Sequence, residues 1–314
     1  MISLDEYRAL LAGADVIRRA DRGRLLLSGT DRLSYLHGLL TQDVESLTAG
    51  QGRYAALLTA QGRMISDMRV FELGEKTLVD LDVSLAPSIH EHLDKFVITE
   101  DVVVEDATSR LAQIGIYGPE ASRIAREATS DFAQNDPVVL HSDDLGVPGF
   151  DVIIATELAE AIMNAARQLG AIPVSQETCD CARIEAGIPK FLVDMDTTTI
   201  PLEAAIEDRA ISMTKGCYVG QEVIVRVLHR GGGRVAKKLV GLKLEGEVAR
   251  GDKVTSGERE IGVITSAVAS PRFGPIALGY VHRDFVEAGT SVLAIHDGDK
   301  VSGSVTGLPF TPRD

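Results

Sequence analysis

Three consecutive glycines, Gly231-Gly232-Gly233, divide this chain into two stretches of different texture, and that division most limits how it can fold. Glycine loses more backbone freedom on ordering than any other residue, so an unbroken triplet reads as a linker. After it, apolar runs at residues 236–244, 253–255, 260–267, 276–281 and 291–295 are separated by Gly and Asp. Five or six short strands at that spacing predict a small β-barrel or sandwich.

Before the triplet, strand and helix patterns are mixed. Residues 25–29 read as a strand, with Thr30 as helix N-cap and Asp31 in the first turn. Leu33, Leu36 and Leu40 share one helical face, widened by Leu39. Residues 54–71 read as two strands about a turn at Gln61-Gly62, followed by a strand at 77–81, a helix at 87–96 and a strand at 102–105. A new unit starts near Arg110. It has a strand at 114–117 broken by Gly118-Pro119, a helix at 121–127, a strand at 152–154, and a helix at 157–169 closed by Gly170. Residues 179–186 form a further helix, stopped at Gly187-Ile188-Pro189. Residues 194–207 are polar and irregular, and a loop of that length is often functional.

A chain of 314 residues, 45% hydrophobic and 25% charged, has material for two or three cores. The formal charge of −14, the absence of Trp and an aromatic content of 4% argue against direct nucleic-acid binding. An anionic small molecule would need specific Arg or Lys residues in its pocket. Charges interrupt the first residues, and no later stretch has the roughly 18 uncharged apolar residues of a membrane span. The expectation is therefore a soluble, intracellular protein with no membrane partner. Its three cysteines, Cys179, Cys181 and Cys217, form no disulfide framework, which fits a reducing compartment.

The run Lys215-Gly216-Cys217-Tyr218-Val219-Gly220-Gln221-Glu222 carries the chemistry. Two glycines let the backbone bend or let a ligand come close, and a cation near a thiol favours the thiolate, which is the nucleophile and metal ligand. Glu222 could compete for Lys215. Cys217 is alternatively a small hydrophobe buried in a tight turn. Cys179-Asp180-Cys181 has a spacing seen in metal sites, but three cysteines cannot supply the four thiolates of a closed site in one chain, and packing on a helix is the plainer reading. No resident metal is expected.

The run resembles the K-G-C-Y/F-x-G-Q-E signature of the YgfZ family, within the superfamily of the glycine cleavage T-protein. In T-proteins the equivalent stretch looks like K-x-D-F-I-G, with an acid where Cys217 stands. Gly29-Thr30-Asp31-Arg32, Thr41-Gln42-Asp43-Val44, the stretch 50–67 and Arg183-Ile184-Glu185-Ala186-Gly187-Ile188-Pro189 resemble further family segments. The resemblance implies an α+β, three-domain, ring-like aminomethyltransferase-like fold with a C-terminal small β-barrel and a central opening of pterin size. The units are then 1–109 with 173–230, 110–172, and 234–314. Residues 223–228 are β-branched and suggest a strand, but the resemblance implies a helix starting at Gly220 or Gln221.

The cofactor implied is tetrahydrofolate or another folate. Glu185 resembles the carboxylate that holds the pterin edge, since a carboxylate accepts two adjacent N–H donors bidentately. Asp67 aligns with an acid that orients the reacting nitrogen. Arg226 and Arg230 are candidates for the folate tail, and His229 is a weaker one. Cys217 is the working thiol, assisted by Lys215, with Gly216, Tyr218, Gly220, Gln221 and Glu222 shaping the motif. The function implied is an accessory role in iron–sulfur cluster assembly or repair, with client proteins that include tRNA-modifying cluster enzymes. The alternative is aminomethyl transfer in glycine cleavage. The compartment is the cytoplasm, or the mitochondrial matrix in a eukaryote.

Overall fold

The computed structural model describes residues 2–230 and 234–310, apart from the side chains of residues 229 and 230. The glycine triplet lies outside the described residues. The chain runs α1 (Leu4–Ala12), β1 (Asp15–Arg18), β2 (Arg22–Ser28), α2 (Arg32–Leu39), β3 (Gly52–Leu58), β4 (Met64–Glu72), β5 (Thr77–Asp82), α3 (Ala86–Asp94) and β6 (Val103–Asp106). It continues through β7 (Leu111–Tyr117), α4 (Ala121–Ser130), β8 (Val138–Ser142), β9 (Gly149–Ala155), α5 (Ala159–Gln168), β10 (Ile172–Pro173), α6 (Gln176–Glu185), α7 (Glu207–Ala210) and α8 (Gln221–Arg230). Six strands follow: β11 (Lys237–Leu244), β12 (Lys253–Ser256), β13 (Arg259–Ser270), β14 (Gly274–His282), β15 (Ser291–His296) and β16 (Asp299–Thr306).

The first sheet has the order β3-β4-β5-β2-β6, the second β10-β1-β7-β9-β8, and the last six strands close into a barrel in the order β11-β14-β13-β12-β15-β16. The α+β layers and the barrel are as expected. The N-terminal segment is not placed as expected: β1 (Asp15–Arg18) pairs with β7 and with β10 and so belongs to the second sheet. The reason is that Val16 completes the apolar face covered by α4 and α5, packing with Ile114 and Ile116.

Strand alternation decides where the site forms. On the first sheet, Leu25, Leu27, Met68, Val70, Val79 and Leu81 face α2 and α3. The residues between them include Arg22, Arg24, Asp67, Arg69 and Asp80, and they are largely buried rather than solvated. The second sheet likewise turns Ala112, Ile114, Val152 and Ile154 toward its helices. Its other face presents Gln113, Tyr117 and Asp151, all buried. The two polar faces meet across a cleft.

One local reading is corrected. Asp31, not Thr30, is the N-cap position of α2, and the Thr30 hydroxyl instead donates to Asp101 Oδ2 at 3.0 Å. The stretch 194–207 is irregular as expected up to the start of α7, and it is packed rather than solvated, because Met195, Leu202, Ala204 and Ile206 are buried in a core shared with β3, β4 and α8. Residues 221–230 are helical despite their β-branching, since Ile224, Val227 and Leu228 lie on one helical face against that core. No helix among the described residues is long and apolar enough to cross a membrane.

Candidate functional site

The cleft between the sheets is built on arginine–aspartate pairs. Asp80 accepts from Arg22 Nε at 2.7 Å and from Arg69 Nε at 2.7 Å. Arg69 reaches across to the second sheet, 2.7 Å from Asp151 Oδ2, and donates to Ser142 Oγ at 2.8 Å. Arg19 donates to Asp21 at 3.0 Å and to the Tyr117 hydroxyl at 2.5 Å. Burial alone would raise Asp21, but Arg19 beside it holds the carboxyl well below the usual carboxylate range. The cations lining this cleft are therefore largely committed to carboxylates already.

Asp67 lines the same cleft. It accepts a hydrogen bond from the Tyr54 hydroxyl at 2.9 Å, and Arg209 lies over the Tyr54 ring at 5.0 Å. Burial pushes the Asp67 carboxyl up, against the attraction of Arg22 and the hydrogen bond from Tyr54. A carboxyl that keeps its proton more readily than usual, in a cleft, suits proton exchange with a ligand nitrogen. Strand register settles its face: Met68 and Val70 belong to the opposite, apolar side.

Glu185 ends α6 and lines an adjoining cavity of about 540 Å³. Leu145, Ile188 and Arg209 line both spaces, which places Asp67 and Glu185 on neighbouring cavities. Phe273, Phe310 and Leu145 supply apolar wall, and Arg272 supplies a cation beside Arg209. The carboxylate is not free. Tyr7 donates to it, Ser270 Oγ donates to Oε1 at 2.5 Å, and the Cys181 thiol approaches Oε1 at 3.4 Å. Among the described residues Oε1 thus meets three donors, while Oε2 meets Tyr7 alone. Residues of this kind fit a flat heterocycle with N–H donors, which a folate would bring as its pterin.

The motif at 215–222 docks beside the first sheet. Cys217 is exposed, whereas Cys179 and Cys181 are buried on α6, where burial pushes the Cys179 thiol up to about 12. Cys217 lines neither cavity. Lys215 does not serve it as expected: its amine donates to the carbonyls of His37, Leu40 and Gln42, and lies 5.1 Å from the Tyr218 ring centre. The amine thereby ties the motif to the end of α2. Burial brings the Lys215 amine down to about 8. Tyr218 is buried in the core under α8. Gly220 has φ of +85°, which explains a glycine there, but Gly216 faces open space outside the left-handed region and nothing in its surroundings requires glycine. Gln221 begins α8, and Glu222 is exposed in its first turn.

Arg226 is exposed on α8 and lines neither cavity, so it is not brought to Glu185. The side chains of Arg230 and His229 lie outside the described residues. The cations that do line the cavities are Arg19, Arg22, Arg69, Arg183, Lys190, Arg209 and Arg272, none of which was singled out for ligand binding from the sequence. Charged residues at every second place of otherwise apolar strands were the available signal for Arg22 and Arg69.

Two facing sheets, a closing barrel and a carboxylate-lined cavity at their junction define an aminomethyltransferase-like architecture. The GCVT N-terminal domain family matches residues 2–157, and the glycine cleavage T-protein C-terminal barrel domain matches residues 237–311. The aminomethyltransferase of Rubrobacter xylanophilus is 30% identical over 98% of this chain and 86% of its own length. That of Corynebacterium jeikeium is 26% identical over 99% and 91%. The crystal structure of glycine cleavage system aminomethyltransferase T from Bartonella henselae has a TM-score of 0.88, covering 98% of this chain and 89% of that one; at 24% identity it speaks for the fold alone. The chain belongs to the glycine cleavage T-protein family.

Proposed function

We propose that the chain binds tetrahydrofolate between its sheets and barrel, and that its exposed thiol serves iron–sulfur cluster assembly or repair, tRNA-modifying cluster enzymes being among the clients. The observation that carries this reading is Cys217, the exposed cysteine of the three, within the intact Lys215–Glu222 run and at the place where T-proteins resemble one another in carrying an acid. Glu185 holds the pterin edge in this reading, and Asp67 exchanges a proton with a ligand nitrogen. A reduced folate, when bound, supplies nitrogens that carry a one-carbon unit. The chain's own part is to desolvate the pterin, orient it and keep Asp67 protonatable.

The relatives' shared name favours a second reading, aminomethyl transfer in glycine cleavage, and it does so across nearly the whole chain. That reading shares the folate site and needs no thiol. One pair of measurements separates the two: turnover of aminomethyl-lipoyl carrier protein with tetrahydrofolate, and cluster-enzyme activity in cells lacking the protein and rescued by wild type, Cys217→Ala or Cys217→Ser. The thiol reading expects no turnover and no rescue by either variant. Robust turnover with full rescue by both assigns the chain to aminomethyl transfer. Calorimetry with tetrahydrofolate tests what the readings share, and no heat at millimolar ligand defeats both.

A further inference from the structure

The Tyr7 hydroxyl lies 2.8 Å from Glu185 Oε1 and 2.9 Å from Oε2. One hydroxyl equidistant from both oxygens sits near the bisector of the carboxylate and covers the paired lone pairs that a bidentate partner would use. Ser270 and Cys181 approach Oε1 from elsewhere. Tyr7 is buried on α1, and Leu11 of the same helix lines the cavity beside Glu185. The preceding residue anchors α1 separately, because the Glu6 carboxylate accepts from the Ser175 backbone N–H at 2.9 Å, its hydroxyl at 2.6 Å and the Thr178 hydroxyl at 2.8 Å.

We propose that Tyr7 is a built-in competitor for the bidentate edge of Glu185, so that folate capture and the Tyr7–Glu185 contact exclude one another. This rests on the reading of Glu185 as the folate ligand. A ligand with two adjacent N–H donors makes two charge-assisted bonds where Tyr7 shares one proton between two oxygens, so it can win the exchange. A ligand with a single donor trades one bond for one and gains little. The competitor thus selects a 2-amino-4-oxopyrimidine type of edge, and its release frees α1 from one of its two polar anchors on α6.

The test is calorimetry of the full chain with tetrahydrofolate for wild type, Tyr7→Phe and Glu185→Gln, together with amide hydrogen exchange of Leu4–Ala12 in wild type with and without ligand. Tyr7→Phe is expected to bind on the order of tenfold more tightly, roughly the worth of one hydrogen bond to a charged group. Glu185→Gln is expected to lose binding, and α1 amides to exchange faster when folate is present. Unchanged or weaker binding by Tyr7→Phe, or α1 amides protected by folate, overturns the competitor while leaving folate binding standing. No uptake by any of the three proteins removes the folate reading, and the competitor with it.

Discussion

Gly62, at the turn between β3 and β4, and Gly220, at the end of the Lys215–Glu222 run, are in backbone contact: a Cβ built on Gly220 would lie 3.3 Å from the Gly62 Cα, 3.1 Å from the Leu58 Cβ and 2.5 Å from the Thr59 carbonyl oxygen. Both residues have positive φ, +75° and +85°. The exposed thiol is held near the first sheet by this close approach, and Val223 of α8 also packs against Gly62.

Gly220→Ala should therefore destabilise the chain. The left-handed backbone alone costs a side chain about 1–2 kcal/mol, and the Thr59 carbonyl is too near for a Cβ to be accommodated without a shift of backbone. Gly216→Ala should be close to neutral, since nothing lies within 4 Å of its Cβ position. Thermal melts of the two variants check the contrast, and equal losses would contradict it.

Thiol titration with an aromatic disulfide should find one fast-reacting cysteine in the native chain and all three only in denaturant. Cys217 is exposed, whereas Cys179 and Cys181 are buried and their thiols are pushed up, by burial first and, for Cys181, by Glu185 next. Cys217→Ser should abolish the fast phase.

Arg69→Met should cost about 3–5 kcal/mol, the usual loss when one member of a buried ionic cluster is removed and its partners are left unpaired. Arg69 touches Asp80, Asp144 and Asp151 with little exposure to water. A urea titration followed by circular dichroism measures it, and a midpoint equal to that of wild type would show that the cluster contributes nothing.

Asp15 gives the chain a pH signature. It is fully buried, and neither carboxyl oxygen finds a hydrogen-bond donor among the described residues. Burial, followed by the charge of Glu6, raises it from 3.8 to about 8. The folded state therefore holds this proton more tightly than the unfolded chain. The contribution is complete below the unfolded value of 3.8 and is lost as pH rises toward about 8. Asp15→Asn should match or trail wild type at pH 5 and exceed it at pH 8.5, read as melting temperature across that range. Parallel curves would mean that Asp15 does not titrate there.

Local texture made much of this legible. Short apolar runs separated by Gly and Asp after the glycine triplet predicted the barrel, and the Gln61-Gly62 turn predicted the β3–β4 hairpin. The helix at 221–230 needed the family resemblance, because propensity pointed the other way and only the burial of Ile224 against a distant core decides it. The site was less legible for a physical reason. Tyr7 meets Glu185 across 178 residues and Ser270 meets it across 85, and no periodicity encodes such a meeting. Arg22, Asp67, Arg69 and Asp80 did show alternation, but alternating charge ordinarily marks a wet face. Here two such faces are pressed together, so the same pattern marks an interior. Lys215 lies two residues from Cys217 in sequence and was assigned to it on that ground, while its side-chain length lets it reach the end of α2 instead.

Three segments distant in sequence converge on Glu185: the Tyr7 hydroxyl bonds its carboxylate, Ser270 of the barrel bonds it from another side, and the Phe310 amide donates to its carbonyl at 2.8 Å. This corner is therefore complete only when the barrel is docked on α6. A fragment without the barrel would carry the acid but neither the Ser270 hydroxyl nor the Phe310 amide, so the carboxylate would face a different set of donors.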